Sequence, residues 1–453
     1  MNIKIRDYLI SEADQILSAL KLADPSARMQ NTDTEGLVGE ALLDKGLLDE
    51  AVEAYGDLAA REPNCGYELY FCLFDYVRKQ KELFERVRPK VAASRSKAAP
   101  VMLSIPVWGE KYIRTMLAVQ MPTMMSCKNL PAIAKNHEVV IEFATRSVDA
   151  HLIENSYWYR RLEELPNVTP GIARYPNELF TSHPKVPQYN YRLMGVMHHL
   201  SILRARAMGG MNVFLLCSDY IMSDSVMSKI LDYVNTGYEM VLMPSVKIRS
   251  DSALSKVLLD LNSRETKPEI EIDSRRMSEI AVEFMHPEFR QLIVSTHTKP
   301  FSRLPFPLLF PHKDGYILRS FVLQPILVST NLVEQEILYD FNTVDGVFLD
   351  RILAGRDPAS AVKLIDDSDD GIMLDMADFI TIKEGDVVQK FELSAVINWL
   401  FYWRRQGVED IFKWLFAQRV ILRSGRIEMQ LDPDDLDEET TVAVLEHVIS
   451  KFG

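Results

Sequence analysis

Polar side chains that could do chemistry follow four apolar runs of the sequence. They are Trp108, Asp149, Asp219 and Arg249. A carboxylate such as Asp219 can bind a divalent cation, and the cation can hold a diphosphate. A cation would also offset the acidic excess of the chain, in which 51 Lys and Arg stand against 64 Asp and Glu. These residues indicate a ligand site, with helix capping by a loop aspartate as the alternative for Asp219.

Further acids, arginines and histidines could complete such a site. Asp345 and the cluster 366–370, which includes Asp369, are candidate proton acceptors, and solvated turns are the alternative for both. Arg249 and Arg275 could bind a diphosphate through their guanidinium groups. A histidine could complete a metal shell, and the candidates, among which no spacing selects one, are His286, His297 and His312.

The elements that must position these residues form an α/β pattern. Short apolar runs at 101–107, 139–145, 213–217 and 240–244 alternate with segments of helical periodicity. This alternation predicts a mostly parallel, doubly wound sheet. Ligands of such sheets bind at the carboxyl ends of the strands, where the polar residues stand.

The sequence predicts three regions. Residues 1–92 form a helical region, 98–390 the α/β domain, and 391–453 a C-terminal helical region with an acidic tail. The first region is all-α and similar to a tetratricopeptide repeat at Gly39, Leu42, Gly46, Ala51, Tyr55 and Pro63. Two interpretations stay open, a helical hairpin packed on the next domain or an array that binds a protein partner.

Composition excludes several classes of protein. A net charge of −13 disfavours nucleic acid as a partner. The four cysteines contain no C-x-x-C pair, which predicts reduced, buried thiols and a cytoplasmic protein. We find neither a signal-peptide pattern nor an apolar run of membrane-spanning length. The aromatic and basic segment 392–423 is either a packing face or a peripheral contact with the inner face of a membrane.

Several short motifs between residues 100 and 380 occur together. They are Ser104-Ile-Pro-Val-Trp-Gly-Glu, Asn129-Leu-Pro, Thr145-Arg-Ser-Val-Asp, the Asp219 segment, Asp273-Ser-Arg-Arg-Met, Met285-His-Pro, Phe321-Val-Leu-Gln-Pro, Thr343-Val-Asp-Gly and Asp367-Ser-Asp-Asp. In this combination the chain resembles bacterial glycosyltransferases of the GT-A fold that carry a helical repeat segment before the transferase domain.

The resemblance implies a nucleotide-sugar donor lying across the carboxyl ends of the first strands. Pro106, Val107 and Trp108 would face the nucleotide, and Asp149 would lie near its base or ribose. Asp219 would begin the acidic motif that binds Mn²⁺ or Mg²⁺, with His297 as a further ligand. That motif is usually Asp-x-Asp, whereas Asp219-Tyr-Ile contains one acid.

The expected function is transfer of a sugar from a nucleotide diphosphate donor to a polysaccharide, lipid-linked or protein acceptor. Asp345 and Asp369 are the expected catalytic acids. The alternative is a non-catalytic scaffold protein that has a degenerate transferase domain and binds a partner through its helical N-terminal region. The missing second acid of the motif favours this alternative, and the polar strand ends oppose it.

Overall fold

The four apolar runs of the sequence form strands in the computed structural model. The structure describes residues 10–11, 14–15, 42, 47–62, 65–87, 99–181, 189–250, 268–290, 292–294, 307–320, 323–333, 344–345, 347–378, 409–425 and 438–450. The strands are β1 (Val101–Pro106), β2 (Val139–Arg146), β3 (Val168–Tyr175), β4 (Asn212–Leu215), β5 (Tyr220–Met222), β6 (Met240–Leu242), β7 (Ser245–Ser250), β8 (Leu308–His312), β9 (Gly315–Arg319), β10 (Pro325–Ser329), β11 (Val362–Leu364), β12 (Met373–Asp378) and β13 (Val420–Arg423).

Helices surround these strands. They are α1 (Leu48–Arg61), α2 (Tyr67–Val87), α3 (Glu110–Thr115), α4 (Met121–Met124), α5 (Leu130–Ile133), α6 (Ala150–Glu154), α7 (Tyr157–Glu163), α8 (Tyr189–Ala207), α9 (Val226–Asn235), α10 (Ser274–Glu283), α11 (Pro287–Arg290), α12 (Val347–Leu353), α13 (Pro358–Ala361), α14 (Glu409–Ala417) and α15 (Glu438–Ser450). A π-helical turn, Met116–Gln120, joins α3 to α4. None of the helices in the described ranges has the length and apolar composition needed to cross a membrane.

Seven strands form the main sheet, in the order β11-β6-β10-β4-β1-β2-β3. Neighbouring strands are parallel except at β10, which runs antiparallel to both β4 and β6. The prediction of a mostly parallel α/β sheet is therefore confirmed. The strand order reverses at β1, because β2 and β3 lie on one side of it and β4 on the other. Such a reversal opens a crevice at the carboxyl ends of the strands.

Helices cover both faces of this sheet because its central strands are apolar on both sides. Leu103 and Ile105 of β1 pack with α3, α4, α5 and α9, whereas Met102 packs on the opposite face with α2 and α8. Side chains that alternate along a strand thereby enter two separate cores. The segment 265–390, whose pattern loosens in the sequence, contributes β10 and β11 to the sheet and β8, β9 and β12 to two smaller sheets.

A buried polar network joins β1 and β2 to α8. Ser104 Oγ donates a hydrogen bond to Ser201 Oγ (2.9 Å), which donates to Glu142 Oε1 (2.6 Å). Arg204 pairs with the same carboxylate, and His198 Nδ1 lies 2.9 Å from Ser104 Oγ. A hydroxyl within an apolar strand is stable here because α8 supplies its partners.

The N-terminal helices pack against this body. Ala51 and Tyr55 of α1 are buried, and α2 packs on α8 through a Tyr70–Tyr189 ring contact at 6.1 Å. The described helices α1 and α2 pack against each other, and α2 packs on α8. Three residues of the repeat pattern lie outside the described residues, namely Gly39, Gly46 and Pro63.

The described part of the aromatic and basic segment also packs inward. Ile411, Leu415 and Phe416 of α14 are buried, and Arg319 donates hydrogen bonds to the last carbonyls of this helix. Residues 392–408 lie outside the described part of the chain. Within 409–423, these three apolar side chains belong to the core.

Two of the four free cysteines are exposed, so the prediction of buried thiols is wrong for Cys72 and Cys127. Cys72 is followed in α2 by the buried residues Leu73 and Phe74. Neighbouring residues of a helix point in different directions, so apolar neighbours in the sequence do not bury a side chain.

The buried histidines of α8 give a prediction about acid stability. Burial, with smaller contributions from neighbouring groups, lowers the pKa values of His198 and His199 to about 3. Neither ring nitrogen of His199 has a hydrogen-bond partner in the structure as described. Below pH 6.5 these two histidines bind protons in the unfolded chain but stay neutral in the folded chain. The free energy of unfolding therefore falls as the pH drops towards 3.

We expect His199→Met to unfold at a higher urea concentration than the wild type at pH 5. Between pH 7 and pH 5 the free energy of unfolding of this variant should fall by about 1–2 kcal/mol less than that of the wild type, because one of the two buried neutral histidines is gone. Urea unfolding at both pH values measures this difference. The exposed His151, changed to Gln, is the control and should match the wild type. An equal loss for His199→Met and the wild type would contradict the assignment.

Candidate functional site

A second carboxylate lies beside Asp219. Asp219 occupies the loop between β4 and β5, and β12 runs antiparallel to β5 with Asp375 opposite Tyr220. The amide of Met376 donates to the carbonyl of Asp219 (3.2 Å), and the two carboxyl groups hydrogen-bond to each other. The fold thus places a second acid next to Asp219, although the local sequence Asp219-Tyr-Ile contains only one.

The two carboxyl groups compete for ionisation. Burial and the charge of Asp375 raise the pKa of Asp219 to about 8. Burial also raises the pKa of Asp375, although Lys247 and His286 act in the opposite direction. Because two like charges this close cannot both form at low cost, the pair shares a proton at neutral pH. A divalent cation would replace that proton.

A lysine and a glutamate extend the pair along the small sheet β5-β12-β7. Lys247 of β7 lies in register with Asp375 of the parallel strand β12. The Lys247 Nζ lies 3.4 Å from Glu288 Oε2. His286, which is fully buried, donates its backbone N–H to the carbonyl of Lys247 (2.9 Å). These contacts produce a charged row that starts at Asp219 and ends at Glu288, with Lys247 between the acid pair and Glu288.

The loop that carries Asp219 is fixed by side chains from two other segments. Gln120, at the end of the π-helical turn, donates from Nε2 to the carbonyl of Cys217 (2.6 Å). The Tyr220 hydroxyl donates to Gln324 Oε1 (2.8 Å). Burial raises the pKa of the Cys217 thiol to about 12, so this cysteine stays protonated and is no nucleophile. Departures from regular helix such as this π turn are frequent at functional sites.

Asp149 fixes the loop after β1. Its carboxylate accepts hydrogen bonds from the Gly109 backbone (2.7 Å) and from Arg146 Nε (2.6 Å). Burial opposes ionisation, but the bonds from Arg146 and Gly109 hold the pKa of Asp149 below its usual range. Gly109 has a φ of 80°, a conformation that favours glycine. Asp149 therefore orients the loop that begins with Trp108.

The other residues predicted for the donor lie at the end of β1 and on β7 of the small sheet. Pro106 and Val107 are buried, so they offer the backbone of the strand end rather than a side chain. Trp108 is partly buried, and its ring lies 5.3 Å from that of Phe180. Arg249 lies two residues after Lys247 on the same side of β7, with its guanidinium 5.7 Å from the Phe284 ring.

Two predicted functional residues pair with each other. Asp369 forms an ion pair with Arg275, and a second arginine, Arg423, lies 3.7 Å from the same carboxylate. Asp367 also binds Arg423 (2.8 Å). The acidic turn before β12 therefore links α10 and β13, and it does not join the Asp219–Asp375 pair.

Two predicted site residues remain, Asp345 and His297. Asp345 lies just before α12 and is partly buried. His297 lies outside the described residues, whereas His286 is close enough to Asp375 to lower its pKa.

Sequence reasoning missed Asp375, Lys247, Glu288 and Gln120. Asp375 had a usable signal, since it is the one acid in the apolar run 372–377. A charged residue within an apolar strand is rarely buried without a function or a partner. Lys247, Glu288 and Gln120 carried no comparable signal.

The carboxylate pair fits a divalent cation. Among the described residues there is no group of three or more His, Cys, Asp or Glu that could hold a metal. Mg²⁺ is commonly held by one or two carboxylates together with waters and the phosphates of a substrate. Asp219 and Asp375 therefore match a cation that is shared with a phosphorylated ligand.

We expect Asp219→Asn to stabilise the metal-free protein at pH 8. The folded pair keeps a proton that the unfolded chain releases near pH 4, so its contribution lowers stability as the pH rises to about 8. At pH 8 the free energy of unfolding of the variant should exceed that of the wild type by at least about 1.4 kcal/mol, the equivalent of one pKa unit. At pH 5 the difference should be smaller. Urea unfolding with a chelator present measures both values.

Asp224→Asn is the matched control for this measurement. The Asp224 carboxylate accepts a hydrogen bond from Ser126 (2.6 Å) and pairs with Lys128, so its loss should leave stability unchanged or lower it. A lower stability of Asp219→Asn than of the wild type at pH 8 would be inconsistent with a shared proton.

No protein-family model matches the chain, and no curated protein matches it either. The case for a function rests on the sheet order and on the residues around the Asp219–Asp375 pair.

Proposed function

We propose that this protein is a glycosyltransferase that moves a sugar from a nucleotide diphosphate donor to a polysaccharide, lipid-linked or protein acceptor. The observation that carries the proposal is the Asp219–Asp375 pair. It follows β4, beside β1, where the order of the parallel strands reverses. This is the edge at which open α/β sheets bind nucleotides. The motifs that resemble GT-A glycosyltransferases supply the specific class.

A divalent cation suits this site. Asp219 and Asp375 would hold Mn²⁺ or Mg²⁺, which neutralises the charge of a diphosphate leaving group when it is bound. Asp375 supplies the second acid that the local motif lacks, and this supports a functional over a degenerate transferase domain. A buried carboxylate pair without a cation is costly to a fold, and its retention is understandable if a ligand brings the cation.

The chain's own residues would bind and orient the donor. Lys247 and Arg249 lie on one side of β7 next to Asp375, where their positive charges would attract the phosphate oxygens. The loop held by Asp149 and Gly109 would place Trp108, with the strand end at Pro106 and Val107, against the nucleotide.

The helical N-terminal region and the location of the protein complete the proposal. The pair α1–α2 would offer its outer surface to a protein partner. A cytoplasmic site of action, with at most peripheral membrane contact, agrees with a nucleotide-sugar donor.

We expect a nucleotide-sugar to raise the melting temperature of the wild type only when Mn²⁺ is present. UDP-, GDP- and dTDP-sugars are screened by thermal shift with Mn²⁺ or with a chelator. At a hundredfold excess over Kd the donor adds about 2.7 kcal/mol of stability. Asp375→Asn should lose the donor-dependent shift because one of the two cation ligands is gone.

Asp224→Asn serves again as the control and should keep the shift. If no donor stabilises the wild type, the transferase proposal fails and the non-catalytic scaffold becomes the better interpretation. If Asp375→Asn keeps the shift, the cation site is wrongly assigned.

A further inference from the structure

A solvent-accessible carboxylate lies at the end of the charged row that starts at Asp219. We propose that this group, Glu288, accepts the proton of the acceptor hydroxyl, and that sugar transfer occurs with inversion of the anomeric centre. The proposal rests on the proposed transferase function and goes beyond it by naming the proton acceptor and the stereochemical course.

The position of Glu288 is fixed by the backbone of β7. The Arg249 N–H donates to the Phe284 carbonyl (2.9 Å), and the His286 N–H donates to the Lys247 carbonyl (2.9 Å). Ile248 and Met285 form an antiparallel bridge between these two contacts. The segment that leads into α11 is thereby clamped along β7, and Glu288 follows it directly.

One side chain pairs with the Glu288 carboxylate, whose Oε2 lies 3.4 Å from Lys247 Nζ. The Glu288 backbone N–H donates to His286 Nδ1 (3.2 Å), which fixes the start of α11. Lys247 is also in register with Asp375, so one ammonium group stands between the proposed cation site and Glu288. Glu288 therefore lies one side chain away from the proposed diphosphate position. The acceptor hydroxyl would enter beside Glu288, on the face of the sugar opposite the diphosphate.

Solvent exposure and the contact with Lys247 together distinguish Glu288 from the other acids. Its side chain is 39% exposed, so it can meet an acceptor that enters from water. Asp219 and Asp375 share a proton and face each other. Asp369 is committed to Arg275, whose ion pair links the acidic turn to α10. Glu288 is therefore the acid beside the pair that is open to solvent.

In the proposed transfer step, one bond to the anomeric carbon forms and one breaks, and the proton passes to a named group. The acceptor oxygen forms a bond to the anomeric carbon while its proton passes to the Glu288 carboxylate. The bond between the anomeric carbon and the diphosphate oxygen breaks, and the diphosphate leaves with the electron pair. Because attack and departure take place on opposite faces, one displacement inverts the configuration. Glu288 then releases its proton to water.

The test uses the full chain with Mn²⁺ and with UDP-glucose, GDP-mannose or dTDP-glucose, whichever donor binds, and water as the acceptor. Glu288→Gln should lower the rate of nucleoside diphosphate release by about 10²-fold or more, the usual contribution of a general base. The calorimetric Kd for the donor should not rise, because Glu288 does not hold the phosphates and Lys247 keeps its charge in the variant. Proton NMR of the wild-type reaction should show β-sugar first from an α-linked donor.

Glu279→Gln is the matched control. Glu279 pairs with Arg276 at 2.8 Å on α10, and its exposure of 43% is similar to that of Glu288. This variant should keep both the rate and the Kd. A circular-dichroism melt compares the stability of both variants with that of the wild type, since exposed ion pairs contribute about 0–1 kcal/mol.

The possible results separate the two proposals. If the wild type binds and cleaves a donor while Glu288→Gln keeps the full rate, or if α-sugar appears first, the assignment of Glu288 is overturned and the transferase function stands. A parallel loss of donor affinity would make Glu288 a binding residue and overturn its role as proton acceptor. If the wild type binds no donor, both proposals fail.

Discussion

The candidate site depends on one constraint: the neighbouring carboxyl groups of Asp219 and Asp375 cannot both ionise at low cost. Asp219 and Asp375 come from different parts of the chain, and the small sheet β5-β12-β7 is what brings them together. The same sheet sets Lys247 beside Asp375 as the nearest positive charge. The pair is a poor contributor to folding, since an apolar contact would stabilise the sheet more. Its presence makes sense as a site that a cation and a phosphorylated ligand complete.

The sequence predicted the main sheet because its strands are local features. Apolar runs became β1, β2, β4 and β6, and polar residues did follow them at one edge. Three strands of the main sheet escaped prediction, namely β3, β10 and the three-residue strand β11. β3 is an edge strand that contains Pro170 and Gly171 and buries little, so it has no apolar run. β10 enters between β4 and β6 in the opposite direction, an arrangement that depends on pairing distant segments.

The chemistry was harder to predict than the fold, because the role of a charged side chain is set by its neighbours in space. Asp149 and Asp369 look alike in the sequence as acids near apolar runs. In the structure, Asp149 secures a glycine turn and Asp369 forms an ion pair with Arg275. Asp375 lies beside Asp219 because β12 pairs with β5. An antiparallel pairing between segments this far apart leaves no signal in a single sequence.

The tyrosine contacts between α2 and the sheet body affect how the chain can be divided. Tyr70 meets Tyr189 and Tyr76 meets Tyr175, and both partners are almost fully buried. The described helices before the compositional break at residues 88–98 therefore pack on elements that follow it. A shortened chain that starts near residue 99 would present a strip of tyrosine rings to water, and such strips promote self-association. In the full chain, α2 shields these tyrosine rings of α8 and β3 from water.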